Sequence, residues 1–238
     1  MSGEVTTRLA PTRVLRRWEW ARPVRPAVRQ VLRAAPSGDT AAPPLLFVAD
    51  IHDPGGAAAL QPWLGAAAEA GHLAAAVSPR GLGGTERPGR RFAVARREWV
   101  HDVVQEAAAL PRRAVLVGRG TGAWVVAHAL HRYPAAAAVL IDPIGLPGRR
   151  MPGLGAVLRR PRIGAALLLG RDPRRPATAP PLLFASSDGG QHSALSTLAV
   201  RYGGQSEWLS APRGALPDLA PILAWLQTAI PAPEPALR

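Results

Sequence analysis

The stretch Val115-Leu116-Val117-Gly118-Arg119-Gly120-Thr121-Gly122-Ala123-Trp124 decides the fold. It reads as a short apolar run, a turn with glycine at every second position, and the start of an apolar helix. An apolar run of this length, ended by such a turn, suits a strand buried on both faces. A strand bending sharply into a helix holds its central residue in strained backbone geometry, and side chains two residues to either side would clash. Gly118 and Gly122 meet that second demand. Gly120 stands at the centre, where it relieves the strain and offers no side chain.

Outward from this turn, strand and helix signals alternate. Residues 45–48, Leu-Leu-Phe-Val, lie between prolines and an Asp/Gly-rich turn and read as a buried strand. Residues 57–71 are Ala-rich and helix-forming, with Gly71 as the stop. A strand at 73–77 and a loop at 78–88 come next, then a helix at 92–110 with Trp99, Val103 and Val104 on its core face. Past the turn the pattern predicts a helix over 123–133, a strand at 138–141, and a strand at 182–185. A helix over 193–202, a strand near 208–209 and a last helix at 219–229 complete it. Upstream, residues 14–32 read as helical, interrupted by Pro23 and Pro26, before a Pro/Ser/Gly linker at 35–44. Alternation of this kind predicts a mostly parallel sheet covered by helices on both faces.

At 238 residues and 47% hydrophobic content, the chain suits one domain with a sizeable core. No apolar run approaches the roughly 20 residues that cross a bilayer. No apolar segment follows the first arginines, so no secretory signal is read, and a cytoplasmic protein is expected. With no cysteine, disulfides and thiolate metal sites are excluded. The net charge is +13, carried by arginine alone. Residues 1–40 hold eight Arg against Glu4, Glu19 and Asp39, and residues 146–180 hold eight against Asp172. These segments account for twelve of the thirteen net charges. They could draw an anionic ligand or an acidic protein partner. No groove-reading motif or stacking aromatic accompanies them, so nucleic acid is not expected.

The order of landmarks over residues 43–228 resembles the α/β-hydrolase superfamily. Pro79-Arg80-Gly81-Leu82-Gly83-Gly84-Thr85 resembles the family's RGxGxS loop, and residues 115–124 resemble its nucleophile elbow. Residues 133–143 resemble the strand after the elbow, and Leu182 to Asp188 the strand and turn that carry the acid. The resemblance implies an α/β-hydrolase domain over residues 43–230. A basic arm and linker at 1–42, an Arg-rich lid at 146–180 and a tail at 231–238 would surround it.

The same resemblance places departures at three catalytic positions. Gly120 stands where Ser, Cys or Asp would be the nucleophile, and Ala215 where the histidine base would be. Ala49-Asp50 replaces the His-Gly pair beside the oxyanion hole, and a carboxylate there would repel developing negative charge. Asp188 fits the acid position and Asp142 its alternative, each reduced to a turn or cap residue without a histidine to orient. Thr121 could serve as a displaced nucleophile and His192 as a displaced base. Asp50, Ile51, His52, Gly118, Arg119, Gly120, Gly122 and Asp142 line the expected cleft at the sheet's carboxyl edge. His52 between Asp50 and Asp53 lacks the third, separate ligand a metal site needs. His101 is expected on a solvated helix face. No metal or cofactor is expected.

Three functions stay open. The first is a non-hydrolytic module that binds a small hydrophobic or anionic ligand, or a protein. The second is an esterase or thioesterase with relocated residues Thr121, His192 and Asp188. In the third, the Gly118–Gly122 turn and the basic lid bind a nucleotide or other anionic ligand, which the basic arm and lid steer to the cleft. That turn also fits G-x-G-x-x-G/A, and Asp142 lies 22 residues beyond Gly120.

Overall fold

The computed structural model describes residues 4–9, 28–38, 40–50, 53, 55–81, 92–144, 180–187, 192–209 and 216–230. Its strands are β1 (Glu4–Leu9), β2 (Val28–Ala34), β3 (Leu45–Val48), β4 (Ala74–Ser78), β5 (Val115–Arg119), β6 (Ala137–Ile141), β7 (Leu182–Ser186) and β8 (Gln205–Trp208). They form one eight-stranded sheet in the order β1-β2-β4-β3-β5-β6-β7-β8. From β4 to β8 every neighbouring pair is parallel, and β1 and β2 add an antiparallel edge. Among the described residues the helices are a short 3-10 turn (Gly56–Leu60), α1 (Gln61–Glu69), α2 (Phe92–Ala108), α3 (Thr121–Ala129), α4 (His192–Tyr202) and α5 (Ala220–Ala229).

The central strands are apolar along their whole length because the pleat sends alternate side chains to opposite faces, and both faces are covered. In β3, Leu46 and Val48 join Trp99, Trp124 and Leu195 from α2, α3 and α4. Leu45 and Phe47 join Trp63, Leu64, Ile222 and Leu226 from α1 and α5 on the other side. Trp63 packs on Phe47 with ring centroids 5.6 Å apart, and its indole N–H donates to the Pro217 carbonyl at 2.8 Å. Pro62 opens α1, where its missing N–H costs nothing, and Gly71 with φ +87° closes the segment.

The N-terminal segment corrects the sequence expectation. Residues 28–32, expected in a helix, lie in β2 and pair with β1 on one side and β4 on the other. Val31 and Leu32 bury on opposite faces, a period of two that no helix provides. Residues 4–9 and 28–34 thus belong to the sheet rather than to a separate arm. Residues 10–27, 82–91 and 145–179, which take in nearly all of the lid expected at 146–180, and the tail at 231–238 lie outside the described residues.

Charge also holds β2 to the body. Glu98, Asp102 and Glu106 recur every fourth residue, along one face of α2, and all three are buried. Arg29 of β2, 1% exposed, donates to Glu106 Oε1 from Nε at 3.1 Å and Nη2 at 2.8 Å, and to Asp102 Oδ1 from Nη1 at 3.3 Å. Arg80, just after β4, donates to Asp102 from Nε at 2.9 Å, Nη2 at 2.5 Å and its backbone N–H at 3.2 Å. It also pairs with Glu98 at 3.4 Å. These carboxylates point inward because two arginines meet them there.

Candidate active-site cleft

Register alone brings the site together. Val48 of β3 pairs with Gly118 of β5, Arg119 with Ile141 of β6, and Ile141 with Ala185 of β7. Continued past the strand ends, these pairings set Asp50, Gly120, Asp142 and Ser186 in a row along the sheet's carboxyl edge. Ligands of open α/β sheets bind at that edge.

Gly120 sits at the bend between β5 and α3 with φ +57° and ψ −119°, a backbone state that strains any L side chain. Its N–H donates to the Ile141 carbonyl at 2.9 Å, and its carbonyl accepts from Ile144 N–H at 3.1 Å, so the bend is tied to the end of β6. The flanking glycines are required by contact. A Cβ at Gly118 would lie 2.6 Å from Ala123 Cα, and one at Gly122 would lie 2.3 Å from the Val48 carbonyl oxygen.

A Cβ at Gly120 would lie 2.1 Å from Asp50 Oδ2 and 2.7 Å from Asp50 Cγ. An oxygen cannot come much inside van der Waals contact with the α-carbon itself. One so close to the Cβ position must therefore stand outward from the backbone, on the side where a side chain of residue 120 would project. The position above Gly120 is taken by the Asp50 carboxylate, two residues past the end of β3. Thr121, fully buried, donates its hydroxyl to Asp50 Oδ1 at 2.7 Å and so fixes that carboxylate.

On the other side of Gly120, Asp142 has φ +43°, which Asp tolerates better than most residues. Its Oδ1 accepts from Ser187 N–H at 2.8 Å and from Ser186 Oγ at 3.5 Å, and its Oδ2 accepts from the Ser187 hydroxyl. Asp142 thus closes a turn between the ends of β6 and β7. Asp53 does similar work after β3, its Oδ1 accepting from Gly55 N–H at 3.1 Å. Among the described residues no group of three His, Asp or Glu is placed to hold a metal ion.

The cleft residues Gly118, Arg119, Gly120, Gly122, Asp50 and Asp142 therefore come to one edge, with Thr121 beneath Asp50. Ile51, His52, Asp188 and Ala215 lie outside the described residues, as does the side chain of His192, whose backbone opens α4. His128 is turned to its own helix, with Nδ1 at 2.9 Å from the Trp124 carbonyl and its ring 4.3 Å from that indole. His72 is buried, with Nδ1 at 2.9 Å from the Pro43 carbonyl. His101 corrects the expectation of a solvated position: it is half-buried beside Asp102, and burial lowers its pKa. Sequence reasoning missed the reach of Asp50 over Gly120 and the two serines on Asp142.

The architecture matches solved α/β-hydrolase structures at low sequence identity. An α/β hydrolase from Sphaerobacter thermophilus aligns with a TM-score of 0.62 and 14% identity, over 84% of this chain and 96% of that one. The bottromycin epimerase BotH, solved with bottromycin A2, gives 0.58 and 18% identity over 84% and 92%. E-2-(acetamidomethylene)succinate hydrolase gives 0.54 and 16% over 95% and 99%. No protein-family model matches the sequence, and no curated protein does.

Proposed function

From the premise that this chain has the α/β-hydrolase fold, we propose that it works without a covalent acyl intermediate, binding a ligand or acting on it by non-hydrolytic chemistry in the cleft at Gly120. The observation that carries this is the carboxylate of Asp50, whose Oδ2 lies 2.1 Å from the position of a Cβ on Gly120. Nucleophilic catalysis needs a reactive atom with a base in reach. Residue 120 has no side chain, and the hydroxyl of Thr121 is donated to Asp50. Ala215 stands at the base position implied by the family resemblance. A charged carboxylate above the turn also opposes the oxyanion that acyl transfer develops. One structural neighbour is an epimerase, so hydrolysis is not the only reaction carried by proteins of this shape.

The same carboxylate disfavours the anion-binding reading of the Gly118–Gly122 turn. The dinucleotide motif, moreover, opens its domain at a first strand, whereas β3 and β4 precede this one. The basic lid at 146–180 keeps its proposed role in attracting a partner.

Turnover of p-nitrophenyl esters and acyl thioesters tests the proposal. Wild type is expected to match the buffer rate, and Thr121→Ala, Asp188→Asn and His192→Ala are expected to change nothing. Turnover above buffer that any of these substitutions abolishes would establish a hydrolase with relocated residues instead.

A further inference from the structure

We propose that β2 and α2 form an acid-sensitive latch: protonation of His101 undocks β2 from α2 while the parallel core of the sheet stays folded. The way β2 is held makes this possible. Residues 29, 31 and 33 of a strand point to one face, and in β2 these are Arg29, Val31 and Arg33. Val31 buries among the apolar residues on the α2 side of the sheet. Its two neighbours on that face reach α2 as cations. Arg29 bonds to Glu106 and Asp102, and Arg33 Nη2 lies 3.4 Å from Glu106 Oε2. In contrast, β6 lies between parallel neighbours and buries apolar residues along its whole length.

An arginine has no neutral form to retreat to. When another cation forms beside it, the excess charge is relieved only by moving the guanidinium into water. His101 is where that cation forms. It lies half-buried on α2 next to Asp102, and Arg29, Arg80 and Arg132 are all near enough to act on its charge. The same helix carries Glu98 and Glu106, which pair with Arg80 and Arg29. Arg80 is fixed by more than charge: its N–H donates to Asp102 and its carbonyl accepts from the Trp99 indole. Arg29 stands on an antiparallel strand near the end of the described sheet, with β1 beyond it. β2 is therefore the element that yields.

The direction in pH follows from the same neighbours. Burial lowers the His101 pKa and the three arginines reinforce this, against Asp102. Undocking β2 takes Arg29 away and admits water, so the undocked state binds the proton more readily. Docking is full above the ordinary value of 6.5 and is lost as pH falls through the lower docked value.

Amide hydrogen exchange of the full-length protein, read by mass spectrometry in about 150 mM salt, tests this. Each rate is divided by that of an unprotected peptide at the same pH, so that only opening is compared. Between about pH 7.5 and about pH 5.0, peptides from residues 28–34 should lose protection about threefold or more, while those from residues 137–141 keep theirs. In His101→Gln, which stays neutral, the loss in residues 28–34 should be at most about half as large. The wild-type profile decides even if that variant fails to fold. Its midpoint should lie below 6.5 and above about 4, where carboxylates ordinarily titrate. Constant protection in residues 28–34, an equal loss in residues 137–141, a midpoint outside that interval, or a larger loss in a folded His101→Gln would each overturn the latch.

Discussion

At Gly120 two constraints act on one atom position. The backbone φ of +57° penalises any Cβ, and the carboxylate of Asp50 already stands where that Cβ would go. Strain of this kind costs about 1–3 kcal/mol, and overpacking a filled site adds about 1–3 kcal/mol. Gly120→Ala should therefore lower stability by an amount in that combined range. Asp50→Ala removes the overlap but not the strain. In urea unfolding, the double variant should be more stable than the sum of the two single losses by at least about 1 kcal/mol, as expected for side chains in contact. Strict additivity would place Asp50 away from residue 120. None of this was visible in the amino-acid string; only the family resemblance placed Asp50, beside the oxyanion position. It becomes visible once β3 is known to lie next to β5, because register then carries Asp50 alongside Gly120.

At the scale of elements, α2 shows how a polar pattern misleads. Its charged residues suggest a solvated face, yet Glu98, Asp102 and Glu106 are buried against Arg29 and Arg80. Such a group of buried charges is poor evidence for net stability, but removing one partner leaves the others uncompensated. Asp102→Ala should destabilise by about 3–5 kcal/mol, loosening β2 and the start of the loop after β4. A loss below about 1 kcal/mol, the range of an exposed pair, would mean that water reaches the cluster.

His101 adds a pH signature to the same helix. Burial, the largest influence, lowers its pKa from 6.5; Asp102 opposes this, while Arg132, Arg80 and Arg29 reinforce it. The unfolded chain thus takes up a proton at His101 before the folded one does. The neutral histidine's contribution is complete above the unfolded value of 6.5 and is lost as pH falls from there to the lower folded value. Between about pH 7.5 and about pH 5.5, which bracket the ordinary histidine value, the urea midpoint of wild type should fall more than that of His101→Gln. Equal slopes would show that His101 titrates alike in both states.

Over the whole molecule, what could be read in advance was whatever apolar periodicity specifies. The strands β3 to β7 and the α-helices among the described residues follow from runs and stripes that a doubly covered sheet buries. The antiparallel β1–β2 pair was not legible, because arginines and prolines surround it in the sequence and the partners that bury Arg29 lie more than seventy residues away. β8 was placed late for a related reason: Gln205, Ser206 and Glu207 are polar residues of a strand that pairs with β7. The contacts at the sheet's carboxyl edge were not legible, since they depend on strand order.

The central claim is that no reactive oxygen projects from the bend between β5 and α3, and intact-protein mass spectrometry after exposure to an excess of a fluorophosphonate tests it most directly. The unmodified mass is expected in wild type. A stoichiometric phosphonyl adduct mapped to Thr121, or to any other residue of the cleft, would contradict it.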